Sequence, residues 1–156
     1  MWYLRLIIGV VFIVLGTKLG KNKGLKYKNA YNFWSSVVSF CNDLNSDLLY
    51  KKSNLNEFLN KNYLSSDFTF LLNEYIKNGK INDFPEYFSN DDKLEFVNFL
   101  SSIGKSDSLS QMQILDAYKS KFAVKLAEKD TEFKKFYSVS LKLGFAIGLG
   151  FMIMVI

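Results

Sequence analysis

Two apolar runs, one at each end of the chain and each with lysines on its inner flank, constrain this sequence more than any other feature. The first extends from Trp2 to Leu19, with an uninterrupted apolar centre from Leu6 to Gly16. As a helix rising about 1.5 Å per residue it covers about 27 Å, close to the roughly 30 Å of a bilayer's hydrocarbon. Arg5 and Lys18 lie near its ends, where long side chains reach the headgroups, and Trp2 and Tyr3 suit an interfacial position. The second extends from Tyr137 to Ile156 and is free of charge from Leu143 onward. It reaches spanning length when Lys142 snorkels back toward the lysine-rich side. A cleaved signal peptide is the rival reading of the first run, but no small-x-small site follows it. An interfacial helix is the rival for the second, but Phe151-Met152-Ile153-Met154-Val155-Ile156 has no polar face. The expectation is two transmembrane helices, residues 1–20 and 137–156, around a helical domain of residues 21–136.

The charge follows the same division. The chain carries 20 basic and 15 acidic residues, a net of +5. Between Asn29 and Phe133, 11 lysines face all 15 acids, so the middle is −4. The other nine basic residues lie in or beside the apolar ends, from Arg5 through Lys18, Lys21, Lys23, Lys26 and Lys28 to Lys134, Lys135 and Lys142. A nucleic-acid binder carries its excess on the folded domain, so the pattern speaks for a membrane and against nucleic acid. The positive-inside rule places the domain in the cytoplasm and both termini outside. A single reduced thiol, Cys41, agrees with that side. Gly144 and Gly148 form a small-xxx-small step for helix packing within the membrane, with Gly9 and Gly16 as candidate counterparts on the first span.

The middle reads as helices throughout. From Ala30 to Tyr50, Trp34, Val37, Cys41, Leu44 and Leu48 recur at steps of three and four. A short helix is expected from Ser53 through Leu55, Phe58 and Leu59. Asp67 is the expected N-cap of a helix bearing Phe68, Leu71, Leu72, Tyr75 and Ile76, ended by Gly79. Lys80 to Phe88 contains Pro85 and reads as a loop. Ser89 caps the helix Asn90 to Ile103, whose expected face is Leu94, Val97 and Leu100 with Phe96 and Ile103; Gly104 is its stop. The last helix starts after Asp107 or Ser108 and continues through Leu115 and Phe122 into the second span. No window alternates with period two, so the fold class is all-α: an antiparallel helical bundle flanked by two transmembrane helices.

Catalytic chemistry finds little support. The chain has no histidine and one cysteine, which removes His-based triads, Cys-His dyads and the common zinc sites. Gly104-Lys105-Ser106 resembles the tail of a phosphate-binding loop, but Phe99 stands where a second glycine is required. Asn90-Asp91-Asp92 suits a helix start better than a cation. Cys41 lies on an apolar face, and Phe33, Trp34, Phe68 and Phe70 read as core. No cofactor or metal is expected, and the chain is read as a non-enzyme.

Three local patterns in this order resemble one family. Leu44-Asn45-Ser46-Asp47-Leu48-Leu49-Tyr50 precedes Leu55-Asn56-Glu57; Ile103-Gly104-Lys105-Ser106-Asp107 leads to Gln111; and Lys142-Leu143-Gly144 opens the glycine-bearing final run. Together with the order of span, helical domain and span, they resemble stage III sporulation protein AB of endospore-forming bacteria. Asp47 stands where that family has glutamate, and Asn54 where proline is frequent. The resemblance implies a fold similar to the cytoplasmic domains of type II secretion F proteins. It further implies a platform subunit of the channel between mother cell and forespore, in the mother-cell membrane. The implied partners are a secretion-type ATPase, stage III sporulation protein AA, other channel components and further copies of the chain. The expected partner contacts are Asp47, Tyr50, Gly104, Asp107 and Gln111, although capping alone explains Gly104 and Asp107. The competing readings are a generic two-span adaptor, a holin-like pore-former, against which the central domain argues, and an enzyme acting on lipid, for which no nucleophile stands out.

Overall fold

The structure, a computed structural model, describes residues 2–50 and 63–155. The helix expected from Ser53 to Leu59 and the Leu55-Asn56-Glu57 pattern lie outside the described residues. Those described form an all-helical chain with no strand among them. Helix α1 is Trp2–Tyr50, α2 is Ser66–Asn78, α3 is Asn90–Ser102 and α4 is Ser108–Glu132. One π-helical turn, Phe133–Tyr137, joins α4 to α5, Ser138–Val155, without a break. Among the described residues one helix, within Ser108–Met154, is long and apolar enough to cross a membrane.

Helix α1 does not pause at the lysines. The stretch Lys18 to Lys28 contains no proline, its lysines are good helix formers, and Gly20 and Gly24, which weaken a helix locally, are packed against the opposing segment. The chain divides into two compact units. One combines α1 up to Asn29 with the chain from Lys129 onward, and the other is Ala30–Glu128.

In the first unit, helix meets helix through glycine. A Cβ added at Gly16 would stand 2.5 Å from the Gly144 carbonyl oxygen and 3.0 Å from the Gly148 nitrogen. One at Gly148 would stand 2.7 Å from the Ile13 Cα, and one at Gly9 would stand 2.6 Å from the Met152 side chain. Gly20 abuts the Ser140 carbonyl, and Gly24 lies against the Tyr137 ring. As the α1 positions rise from 9 to 24, their partners fall from 152 to 137, so the two segments run in opposite directions. Away from this seam the side chains are apolar and exposed, including Ile7, Val10 and Val14 on α1 and Leu143, Ile147 and Ile153 on α5.

The second unit is built on aromatic packing. Phe33 is fully buried, with ring centroids of Trp34 at 5.3 Å, Phe88 at 4.8 Å and Phe96 at 5.2 Å, all edge-on. Such pairs add about 0.5–1.5 kcal/mol each beyond the burial of their area. Phe40, Phe68, Phe99 and Phe122 complete the fully buried rings beside Phe96 and Trp34.

Three expectations need correction. The N-cap of α2 is Ser65, not Asp67: its Oγ accepts from the Phe68 N–H at 3.3 Å. Ser65 is held extended because its own N–H donates to Ser36 Oγ on α1 at 3.0 Å. Asp67, within the first turn, instead accepts from the Tyr87 hydroxyl at 2.6 Å. The inward face of α3 is Phe96, Phe99 and Leu100, while Leu94 is 67% exposed. The two larger rings, three residues apart, take the interior and turn Leu94 outward. Phe70 is 61% exposed because a helix carries residue 70 about 200° around from the buried Phe68. The remaining punctuation follows the turn chemistry. Gly79 and Gly104 both adopt positive φ, at 68° and 76°, and Ser89 forms a capping box with Asp92.

Candidate interaction site

Between α3 and α4 the chain turns sharply, and the turn is organised around one buried side chain. Gln111, 3% exposed, reaches back from the first turn of α4. Its Oε1 accepts from the Gly104 N–H at 2.9 Å and from Ser106 Oγ at 3.3 Å. The Gln111 N–H in turn donates to the Asp107 carbonyl at 2.8 Å. Asp107 Oδ2 accepts from the Ser110 N–H at 3.3 Å, an N-cap contact. Hydrogen bonds from Ser110 hold the Asp107 carboxyl below the usual carboxylate range. Gln111 Nε2 is buried without a partner. The turn therefore brings Gly104, Asp107 and Gln111 together, and it presents Gly104, Lys105, Ser106 and Asp107 to solvent.

Asp47 lies elsewhere, buried on α1. Tyr50 closes α1, and its side chain lies outside the described part. In the first unit, Gly9, Gly16, Gly144 and Gly148 all line the seam between α1 and α5, joined there by Gly20 and, against Tyr137 of the π-helical turn, by Gly24. The sequence carries a signal for these two, since Gly16, Gly20 and Gly24 repeat at steps of four and so share one helix face.

A charged cluster in the second unit has no counterpart in the motifs. Lys125 Nζ pairs with Asp92, contacts Glu95 Oε2 at 2.9 Å and lies 4.8 Å from the Trp34 ring centre. Burial pushes the Asp92 carboxyl up, but hydrogen bonds from Lys125 and Ser89 outweigh it and hold the group below its ordinary value. Burial likewise pulls Lys125 down, and its bonds to Asp92 and Glu95 outweigh that and raise it. The sequence signal is half present. Ser89-x-x-Asp92 has capping-box spacing, but nothing in the chain order links either residue to position 125.

Nucleophilic chemistry has no foothold at the cysteine. Cys41 is fully buried, and burial pushes its thiol up to about 12 against the pull of Lys119. The described residues hold no group of three or more His, Cys, Asp or Glu able to ligate a metal. No protein-family model, no curated protein and no solved structure matches the chain.

Proposed function

We propose that this chain is a non-enzymatic, membrane-anchored platform. In this reading its two terminal segments cross the bilayer as a helical hairpin, with both termini outside. The domain between them is an antiparallel helical bundle in the cytoplasm that docks a partner protein. One observation carries the anchoring: a glycine seam holds α1 and α5 together, while Ile7, Val10, Val14, Leu143 and Ile147 point outward, where water would leave them unburied. The docking surface proposed is the turn at Gly104 and Asp107, which is exposed and kept in shape by Gln111.

The resemblance to stage III sporulation protein AB supplies the partner in this proposal. It is a secretion-type ATPase at the mother-cell membrane of a channel toward the forespore. Deleting the gene in its source organism and following sporulating cells by microscopy tests that role. Arrest after engulfment, with a collapsing forespore, is the expected outcome. Normal spores in a strain with no second copy would remove the sporulation role. In the arrested strain, complementation with Asp107→Ser tests the docking turn. Serine retains a capping oxygen but loses the charge, so failure to complement separates partner contact from helix capping.

A further inference from the structure

The register of the glycine seam fixes the height of the lysines along the hairpin, which the sequence alone leaves open. Gly16 meets Gly144 and Gly20 meets Ser140, so the layer between them holds Lys18 on α1 and Lys142 on α5. On the terminal side of that layer the described outward side chains are predominantly apolar. On the other side stand Lys21, Lys23, Lys26 and Lys28 on α1 and Lys134 and Lys135 on the π-helical turn. All eight are exposed. Lys134 pairs with Asp130 and Lys135 lies over the Phe136 ring. The other six have no carboxylate partner among the described residues. This first unit contains ten basic and two acidic residues, a net of +8, while Ala30–Glu128 carries a net of −3. A collar in which six of eight ammonium groups lack a carboxylate among the described residues, directly below an apolar hairpin, is complementary to phosphate.

We infer that this lysine collar is a binding site for anionic phospholipid headgroups. It selects a negatively charged leaflet and fixes the depth at which the hairpin sits. The inference rests on the two-span reading and deepens it. Lys18, Lys142 and Lys21 occupy the headgroup layer itself. Lys28 stands about 15 Å from Lys18 and about 10 Å from Lys21 along α1, at or beyond the roughly 8–10 Å over which salt screens a surface charge. The lysines are therefore graded: those nearest the apolar run bind most, each worth roughly fivefold in lipid affinity, and those furthest bind least.

The test reconstitutes the full chain in vesicles of phosphatidylcholine and in vesicles in which about one-third is phosphatidylglycerol, a composition chosen for its surface potential. Resistance to alkaline extraction reports insertion. Spin-labelled phosphatidylglycerol and phosphatidylcholine report which lipid the protein immobilises. The expected result is at least roughly tenfold preference for phosphatidylglycerol, weakened at about 0.5 M salt. The triple change Lys18→Gln, Lys21→Gln and Lys142→Gln removes most of it, and Lys23→Gln, Lys26→Gln and Lys28→Gln much less. Circular dichroism confirms that both variants remain helical. Insertion without lipid preference overturns this inference and leaves the two-span reading standing. Equal losses from the two triple variants would refute the grading and the depth it sets, and a preference that both variants keep in full would overturn the assignment to these lysines. A chain that does not insert overturns both.

Discussion

Adding a single methyl group at Gly16 tests the hairpin most directly. Gly16→Ala places its Cβ 2.5 Å from the Gly144 carbonyl oxygen and 3.0 Å from the Gly148 nitrogen. Both are backbone atoms, so no side chain can swing aside, and the helices must part by several tenths of an ångström. A radial gap of 0.5–1 Å forfeits a quarter to a half of each dispersion contact along the seam. Overpacking of this kind costs about 1–3 kcal/mol. The alanine itself returns about 1 kcal/mol of helix propensity, leaving a net loss of up to about 2 kcal/mol. Gly148→Ala behaves alike, its Cβ meeting the Ile13 Cα at 2.7 Å. Gly150→Ala is the internal control: nothing lies within 4 Å of its Cβ, so only the propensity gain remains. Fluorescent labels at Tyr3 and Ile153, both exposed, report hairpin closure by energy transfer during denaturation in mixed micelles, in a Cys41→Ala background. Gly16→Ala and Gly148→Ala open at lower denaturant than the parent, and Gly150→Ala at the same level or higher. Three indistinguishable curves would refute the seam.

Other outcomes follow from the second compact unit, Ala30–Glu128. Lys125→Met leaves the buried Asp92 carboxylate without its ammonium and costs about 2–3 kcal/mol, below the usual 3–5 because Lys125 is 20% exposed; adding Asp92→Asn recovers part of it in thermal melts. Because the Asp92 value is depressed on folding, its contribution is full above about pH 4 and is lost as pH falls through the lowered value. Lys125 is raised, so its share is full below about pH 10 and is lost as pH climbs past the raised value; stability against pH shows a plateau between these limits. Gln111→Leu strips the Gly104 N–H and the Ser106 hydroxyl of their acceptor and lowers stability by about 1–2 kcal/mol in denaturant titration. Cys41, fully buried and pushed up to about 12, reacts with a thiol reagent at neutral pH only at the rate of unfolding, and fast labelling of the native chain would contradict its placement.

What the sequence made legible was local. Ser89 with Asp92, Gly79 and Gly104 announce helix ends through side-chain or backbone chemistry confined to a few residues, and those ends stand where the chemistry puts them. Ser65 escaped because its role depends on Ser36, 29 residues away, which holds it extended. The rotated face of α3 has a similar origin. Leu94 and Phe96 suit a helical stripe equally well, and the partners of Phe96, Phe33 at 5.2 Å and Phe68 at 6.3 Å, belong to other helices. The Lys125 cluster required a contact across 30 or more residues, with no motif to announce it. Hydropathy drew the borders of the domain at residues 20 and 136. The compact units divide instead at Asn29 and Lys129, because the glycine seam and the Tyr27–Phe136 stack, 5.1 Å between centroids, carry helix pairing past the end of the apolar run.

The five expected partner contacts are not equally available to a partner. Gln111 is consumed by the turn, with its carbonyl oxygen holding two donors and its amide nitrogen enclosed. Asp47 is buried, so a partner reaches it only if α1 opens. Gly104 has no side chain, and its N–H is already given to Gln111. Its contribution is the positive φ that brings Lys105 and Ser106 around the corner. Asp107 differs, because its carboxylate is exposed and capping needs only a hydrogen-bond acceptor, which serine supplies without charge. A negative charge at the tip of a turn, on a unit already at −3, meets a basic surface without any rearrangement of the fold. Among the four contacts whose side chains are described, the docking proposal thus narrows to Asp107, whose capping role needs an acceptor and not a charge.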